Sequence, residues 1–326
     1  MLAIVVEQGE KGPLAVLREN PVPYQGPHEL LVEVHAASVN RSDLLQKKGH
    51  YPSKTGASPV LGLDFSGTVV STGSTKYHLG DHVMALVDGG AQAEFAVVHE
   101  DLAMPIPEGL SFEEAAAIPE VFLTAFQALR WLGQLKKGQT VLIHSGASGL
   151  GTAAIQLAKS LETTVFATAG TEEKVQACLN LGAKKAIDYR STPHFASPLL
   201  KWTDGRGVDL IIDTVGASFW QENIQALAQE GKIICIAYLS GAHIADFDLS
   251  LLQKKWGSLI GSRLRDRSLA YKIALTREFS AFALPLFASR TLRPVVHSIL
   301  PLESAEQAHT LLHTNQTIGK VVLKVR

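Results

Sequence analysis

A chain of 326 residues is long enough for two domains of ordinary size. Its 46% hydrophobic and 19% charged residues exclude a disordered chain. A net charge of -1, from 30 basic and 31 acidic side chains, supplies no overall field for nucleic acid or an anionic membrane. No apolar stretch approaches the roughly 20 residues of a membrane span. Met1-Leu2-Ala3-Ile4-Val5-Val6-Glu7 lacks the basic flank and long apolar run of a signal peptide, so the expectation is a soluble cytoplasmic protein. Two cysteines, Cys178 and Cys235, are too few for a disulfide framework or a four-cysteine zinc site.

Residues 1–118 read as β-rich. Leu30–Val34, Gly67–Val70 and Gln92–Val98 are short β-branched runs between Gly and Pro turns. The first clear helix start is Ser111-Phe112-Glu113-Glu114, an N-cap with an acid three residues on. A second helix is expected from Pro119, carrying Thr124, Phe126 and Leu129. From about 138 strands and helices alternate. The expected strands are Thr140–His144, Thr164–Thr168, Lys185–Tyr189, Val208–Ile212, Lys232–Ile236 and Ser258–Ile260. Between them lie helices over Gly149–Leu161 and Glu172–Leu181, the second closed by Gly182. Apolar strands in this rhythm imply an α/β domain, a doubly wound parallel Rossmann sheet of six strands over 119–267. Helices follow over Tyr271–Phe282 and Leu302–His313. The strand Lys320–Lys324 is expected to return to the first, β-rich domain, which then comprises 1–118 and 268–326.

The strongest chemical feature is His144-Ser145-Gly146-Ala147-Ser148-Gly149-Leu150-Gly151, set between an apolar strand and a helix. Gly146 and Gly151 match the outer glycines of a Gly-x-Gly-x-x-Gly turn, and Ser148 replaces the middle one. Small residues let a pyrophosphate approach the backbone, and the helix offers free N–H groups and the positive end of its dipole. An NAD-binding unit places an acid at the end of the second strand. Here Ala169 stands there, followed by Gly170 and Thr171, with Lys174, Tyr189 and Arg190 near by. A hydroxyl, an ammonium and a phenol can hold a 2′-phosphate, so NADPH is expected over NADH. Against this, Thr171 serves equally as an N-cap and Lys174 as a surface residue, and Glu172 and Glu173 oppose an anion if they point inward.

With these features the chain resembles the zinc-free quinone oxidoreductase branch of the medium-chain dehydrogenase/reductase superfamily. The resemblance covers essentially the whole chain. It rests on Gly138-Gln139, Gly149-x-Gly151 and Gln156-x-x-Lys159, and on three longer segments: Ala57–Asp64, Met104–Leu110 and Ala115–Glu120. With Gly151–Leu157 these resemble most the tumour-suppressor-inducible subgroup, where a serine in the glycine turn is expected. The resemblance implies a GroES-like fold for the β-rich domain. Zinc-dependent relatives carry a cysteine and a His-Glu pair where this chain reads Asn40-Arg41-Ser42-Asp43 and Gly62-Leu63-Asp64. It therefore implies hydride transfer without zinc, from NADPH to an already electrophilic small molecule in an interdomain cleft.

The same resemblance places Asn40, Tyr51 and Thr124 near the nicotinamide, Tyr238 beside it, and Asn315 toward the adenosine phosphate. Tyr51 is either a hydrogen-bond donor to the acceptor oxygen or a wall of the site. Asn40 either fixes a carboxamide or a water, or bonds its own loop. The charged run Ser262–Arg267 reads as a solvated face, a dimer edge or a cofactor rim. The apolar edge strand Ser258–Gly261 predicts a homodimer. The activities left open are an NADPH-dependent quinone reductase, an NADPH-dependent reductase of enones, and a cofactor-binding structural or RNA-binding protein. The balanced charge, without interleaved basic and aromatic residues, argues against RNA.

Overall fold

The N-terminal hairpin pairs β1 (Leu2–Gly9) antiparallel with β2 (Gly12–Glu19). The structure is a computed structural model that describes residues 1–10, 12–245 and 247–326. These fall into two units, Met1–Leu123 with Arg265–Arg326, and Thr124–Leu264.

In the first unit, β3 (Glu29–Val39) is followed by α1 (Arg41–Lys47), β4 (Asp64–Thr72), β5 (His82–Leu86), β6 (Phe95–His99) and β7 (Ala103–Pro105). Along β3 the alternate residues Leu30, Val32, Val34 and Ala36 are buried, the period-two pattern of a strand with one face on a core. Leu30, Val32 and Val34 pack with Phe65, Val69, Val83, Ala85, Ala96 and Val98. Each Val, Leu or Phe side chain among them gains roughly 1.5–3 kcal/mol on leaving water. Helix α2 (Phe112–Ala116) starts at the predicted capping box. The Ser111 hydroxyl accepts from the Glu114 N–H, and the Glu114 carboxylate accepts from the Ser111 N–H. Helix α3 (Pro119–Phe126) follows and continues as a π-helical turn over Gln127–Leu132.

The second unit holds β8 (Thr140–Ile143), α4 (Gly149–Ser160), β9 (Thr164–Ala169), α5 (Glu172–Leu181), β10 (Lys185–Asp188), α6 (Ala196–Trp202), β11 (Val208–Asp213), α7 (Trp220–Ala226), β12 (Leu227–Cys235), α8 (Leu249–Lys254) and β13 (Ser258–Gly261). Its six-stranded sheet runs β10-β9-β8-β11-β12-β13, all parallel. Every residue of β8 is buried, as a central parallel strand covered on both faces requires. The chain reverses its direction of travel across the sheet between β8 and β11. A ligand binds at such a switch point, beyond the carboxyl ends of the strands.

The chain then returns to the first unit through α9 (Leu269–Ala288), β14 (Val296–Pro301), α10 (Ala305–His313) and β15 (Lys320–Lys324). β15 pairs antiparallel with β3, so the last strand completes the seven-stranded sheet.

Three departures from expectation bear on the site. Helix α1 was not anticipated, since seven residues with only Leu44 and Leu45 as large apolar side chains give no helical period. The strand expected over 92–98 occupies Phe95–His99, because Gln92 instead donates its N–H to the Leu61 carbonyl. The charged run 262–267 is not wholly a solvated face: Arg265 is buried.

Candidate active site

In the second unit, the turn after β8 needs glycine at two positions. A Cβ on Gly146 would lie 2.7 Å from Cys178 Sγ, and one on Gly151 only 2.3 Å from the Ser145 carbonyl oxygen. Ser148 does more than replace a glycine. It is the N-cap of α4, and its hydroxyl accepts from the Gly151 N–H at 3.0 Å. The N–H groups of Gly149 and Leu150, in the first turn, have no partner within the helix. Beneath the turn a chain of buried polar groups fixes the geometry. Asp213 Oδ2 accepts from Asn223 Nδ2 at 3.2 Å, which directs Asn223 Oδ1 to His144 Nε2, 2.7 Å away. His144 therefore carries its proton on Nε2, and its Nδ1 accepts from the Thr168 hydroxyl at 2.8 Å. Burial lowers the His144 pKa and keeps the ring neutral, although Asp213 and Asn223 act in the other direction.

At the carboxyl end of β9, the predicted set comes together. Ala169 is buried and pairs in register with Asp188. The Tyr189 hydroxyl stands over Gly170, where a Cβ would meet it at 2.9 Å. The Thr171 hydroxyl caps α5 by accepting from the Lys174 N–H at 3.3 Å. Burial lowers the Lys174 pKa, and the nearby Arg190 guanidinium lowers it further. Lys174 and Arg190 thus lie near each other where an NAD-binding unit has an acid, although the Glu173 carboxylate also acts on Lys174, raising its pKa. Asp188 Oδ1 accepts from the Arg190 N–H at 2.9 Å. Close approach at Gly151, open N–H groups on α4 and paired cations beyond β9 fit a dinucleotide with a 2′-phosphate. Tyr238 lies in the exposed loop after β12, and the Leu239 N–H of that loop donates to the Thr214 carbonyl at 3.2 Å. Thr124 is buried on α3.

In the first unit, Asn40 sits at the start of α1 with both ends of its amide engaged. Nδ2 donates to Asp64 Oδ1 at 2.8 Å, and Oδ1 accepts from Lys320 Nζ. Around it are Ser38, whose hydroxyl donates to Asp64, and Asp43, whose Oδ2 accepts from the Asn40 N–H at 2.8 Å. Glu120, in the first turn of α3, donates its backbone N–H to Asp64 Oδ2 at 3.1 Å. Burial pushes the Asp43 carboxyl up to about 7, with Asn40 opposing the rise and the Asp64 charge adding to it. Burial likewise pushes Glu120 up to about 7, with Lys320 acting against it.

Tyr51 is held by Arg265, whose guanidinium carbon stacks 3.5 Å from the ring centroid. The same guanidinium donates to the Pro52 carbonyl at 2.7 Å and to Gln46 Oε1 at 3.2 Å. Asn315 accepts from Arg41. Leu63, at the position of a zinc ligand in relatives, is a buried apolar residue. Sequence reasoning missed Arg265, Asp43, Glu120 and Lys320. Asp64 and Glu120 stood inside segments already recognised, each an acid among small and apolar residues, and that was the available signal.

Two family models match: an alcohol dehydrogenase GroES-like domain over residues 26–108 and a zinc-binding dehydrogenase domain over 149–285. Quinone oxidoreductase-like protein 2 of Bos taurus is 31% identical over 97% of this chain and 90% of its own length. The chain belongs to the quinone oxidoreductase-like proteins of the medium-chain dehydrogenase/reductase superfamily. Among the superfamily's solved structures, quinone oxidoreductase from Thermus thermophilus, crystallised also with NADPH, is 32% identical over the whole of both chains, with a TM-score of 0.83. Phthioceranic/hydroxyphthioceranic acid synthase of Mycobacterium tuberculosis is 38% identical over 64% of this chain. That match spans 10% of the synthase's own length.

Proposed function

We propose that this member of the superfamily is an NADPH-dependent quinone oxidoreductase that works without zinc. The observation that carries the reading is the end of β9, where the Tyr189 hydroxyl stands over Gly170, the Thr171 hydroxyl caps the helix that carries Lys174, Arg190 lies near Lys174, and no acid stands at Ala169. The relatives named as quinone oxidoreductases support a quinone as acceptor. When bound, the cofactor supplies the hydride.

The chain's own residues bind and orient. Gly146, Ser148, Gly149, Leu150 and Gly151 form the cradle for the diphosphate. Thr171, Lys174 and Tyr189 take the 2′-phosphate. Thr124, Tyr238 and Asn315 complete the cofactor contacts. Asn40 acts through its fixed position between Asp64 and Lys320, and Tyr51 donates a hydrogen bond to the acceptor oxygen. Arg41 and Leu63 occupy the places of two zinc ligands, so a quinone, already electrophilic, suits the site better than an alcohol that a metal must polarise.

The test is NADPH oxidation by the purified chain with ortho-quinones, para-quinones and enones side by side. Acceleration by quinones is expected. Faster turnover of enones would reassign the acceptor, and NADPH binding without turnover of any acceptor would make the chain a cofactor-binding protein. In the same experiment Lys174→Ala should weaken NADPH about tenfold and leave NADH nearly unchanged, since one charge-assisted hydrogen bond is lost. Matching titration curves for the two cofactors in the wild type would sink the assignment.

We also propose a cytoplasmic homodimer. β13 pairs only with β12 among the described residues, and Leu259 on it is 43% exposed. An open apolar edge invites a second copy. Sedimentation at micromolar concentration should give the mass of two chains, and a stable single chain would contradict it.

A further inference from the structure

Ser145 holds a backbone conformation that residues other than glycine seldom adopt. Its φ is 52°, in the left-handed region, where the chain leaves β8 for the glycine turn. Both neighbours pin it there. The His144 N–H donates to the Ile212 carbonyl on β11 at 3.1 Å, and the Gly146 N–H donates to the Thr168 carbonyl on β9 at 2.9 Å. Ser145 thus stands over the end of β8, between the two strands that flank it. Its half-buried side chain is tied to the β11 side. The Thr214 hydroxyl, just after β11, donates to Ser145 Oγ at 2.8 Å. Thr214 is itself buried and fixed. Asp213 Oδ1 accepts from the Val215 and Gly216 N–H groups at 2.7 and 3.1 Å, and the Thr214 carbonyl accepts from the Leu239 N–H. Because Thr214 donates, Ser145 Oγ is the acceptor of that bond and keeps its own proton to give. Among the described residues the Ser145 hydroxyl makes no other hydrogen bond.

We propose that the Ser145 hydroxyl binds the cofactor by donating to the nicotinamide-side phosphate of its diphosphate, with Thr214 as the positioning residue. The inference rests on the nicotinamide-cofactor reading above. A ligand of a doubly wound sheet lies across the switch point, here between β8 and β11. With the 2′-phosphate at the end of β9, the adenosine half lies on the β9 side and the other half passes over β11. Thr214 holds Ser145 Oγ toward β11, so the phosphate it meets is the one beyond the switch point. The Gly149 and Leu150 N–H groups reach the diphosphate from the helix end of the turn, and Ser145 adds a donor at its strand end. A hydroxyl bonded to a phosphate oxygen makes a charge-assisted hydrogen bond. Glycine would take φ 52° at no steric cost, so what serine adds at this position is the hydroxyl.

Ser145→Gly keeps the left-handed backbone without strain and removes the hydroxyl. In fluorescence titrations it should bind NADPH and NADH each about tenfold more weakly, because both carry the diphosphate. Adenosine 2′,5′-bisphosphate has the 2′-phosphate but no nicotinamide-side phosphate, and its affinity should not change. Ser145→Ala, which does not loosen the backbone, should show the same pattern. Thr214→Val keeps the shape of the side chain and should weaken both dinucleotides by a smaller factor, while Thr214→Ser should restore them, as a packing role for Thr214 would not. Unchanged affinity for both dinucleotides in the two Ser145 variants would overturn the proposal and leave the hydroxyl pair as a latch between two loops. A loss confined to Ser145→Gly would overturn it too, as would an equal loss for the bisphosphate, since the whole turn would then have moved. If the wild type shows no preference for NADPH, the 2′-phosphate reading fails by itself, and a tenfold loss of NADH in Ser145→Gly still supports the proposal. A wild type that binds neither dinucleotide would sink the cofactor reading and the proposal with it.

Discussion

Asp43→Asn is expected to raise the thermal midpoint at about pH 8 and to change it little near pH ~4. In the folded chain burial lifts the Asp43 carboxyl from its ordinary value of 3.8 to about 7. The folded state therefore binds more protons than the unfolded state across that interval. Stability that is fully present below 3.8 is lost as pH rises, and the loss is complete once pH passes about 7. The gap corresponds to roughly 4 kcal/mol, because each factor of ten in proton affinity is worth about 1.4 kcal/mol. Asparagine remains neutral at every pH. Its oxygen can keep the hydrogen bonds from the Asn40 N–H and Gln92 Nε2, and its NH2 group brings a donor where Asp43 Oδ1 and Gln92 Oε1 are both bare. The advantage of the variant should thus grow with pH to on the order of 10 °C in midpoint. A midpoint lowered at both pH values would show that Asp43 is a stabilising carboxylate, and the neutral-acid assignment would fall.

The parts of the fold and site that the sequence discloses are those set by local rules. Six largely apolar runs separated by helical periods disclose the parallel sheet, because a strand covered on both faces carries mostly apolar residues. Gly146 and Gly151 were legible because the steric demand at a cofactor turn leaves no other residue. Gly182 was legible because α5 ends there in the left-handed conformation, at φ 116°. The Asn40–Asp64–Lys320 network was not legible in the same way. Its members lie 24 and 256 residues apart in sequence, by subtraction of their numbers, and meet only because β15 pairs with β3 beside β4. Arg265 escaped for a related reason. In a run of three arginines and an aspartate the charges look solvated, and only the placement of Tyr51 and Pro52 buries one of them. Local sequence thus reports the scaffold, whereas the charged groups that tune the site are assembled by strand pairing.

That placement of Tyr51 leads to the prediction about turnover itself. Arg265 stacks on the Tyr51 ring and ties down the Pro52 carbonyl, so the phenol sits on a fixed loop. A fixed phenol can hold one hydrogen bond to an acceptor oxygen without reorganising as negative charge develops there. Tyr51→Phe removes the hydroxyl and retains a ring for Arg265 to stack on, so the loop should stay in place. If one transition-state hydrogen bond of ~1.4–2.7 kcal/mol is lost, turnover should fall by about 10- to 100-fold. NADPH affinity should scarcely change if the phenol acts on the acceptor, as proposed. The measurement is steady-state turnover of a good quinone across pH, beside an NADPH titration of the same variant. Unchanged turnover would reduce Tyr51 to a wall of the site. Lost NADPH binding would move it to the cofactor contacts.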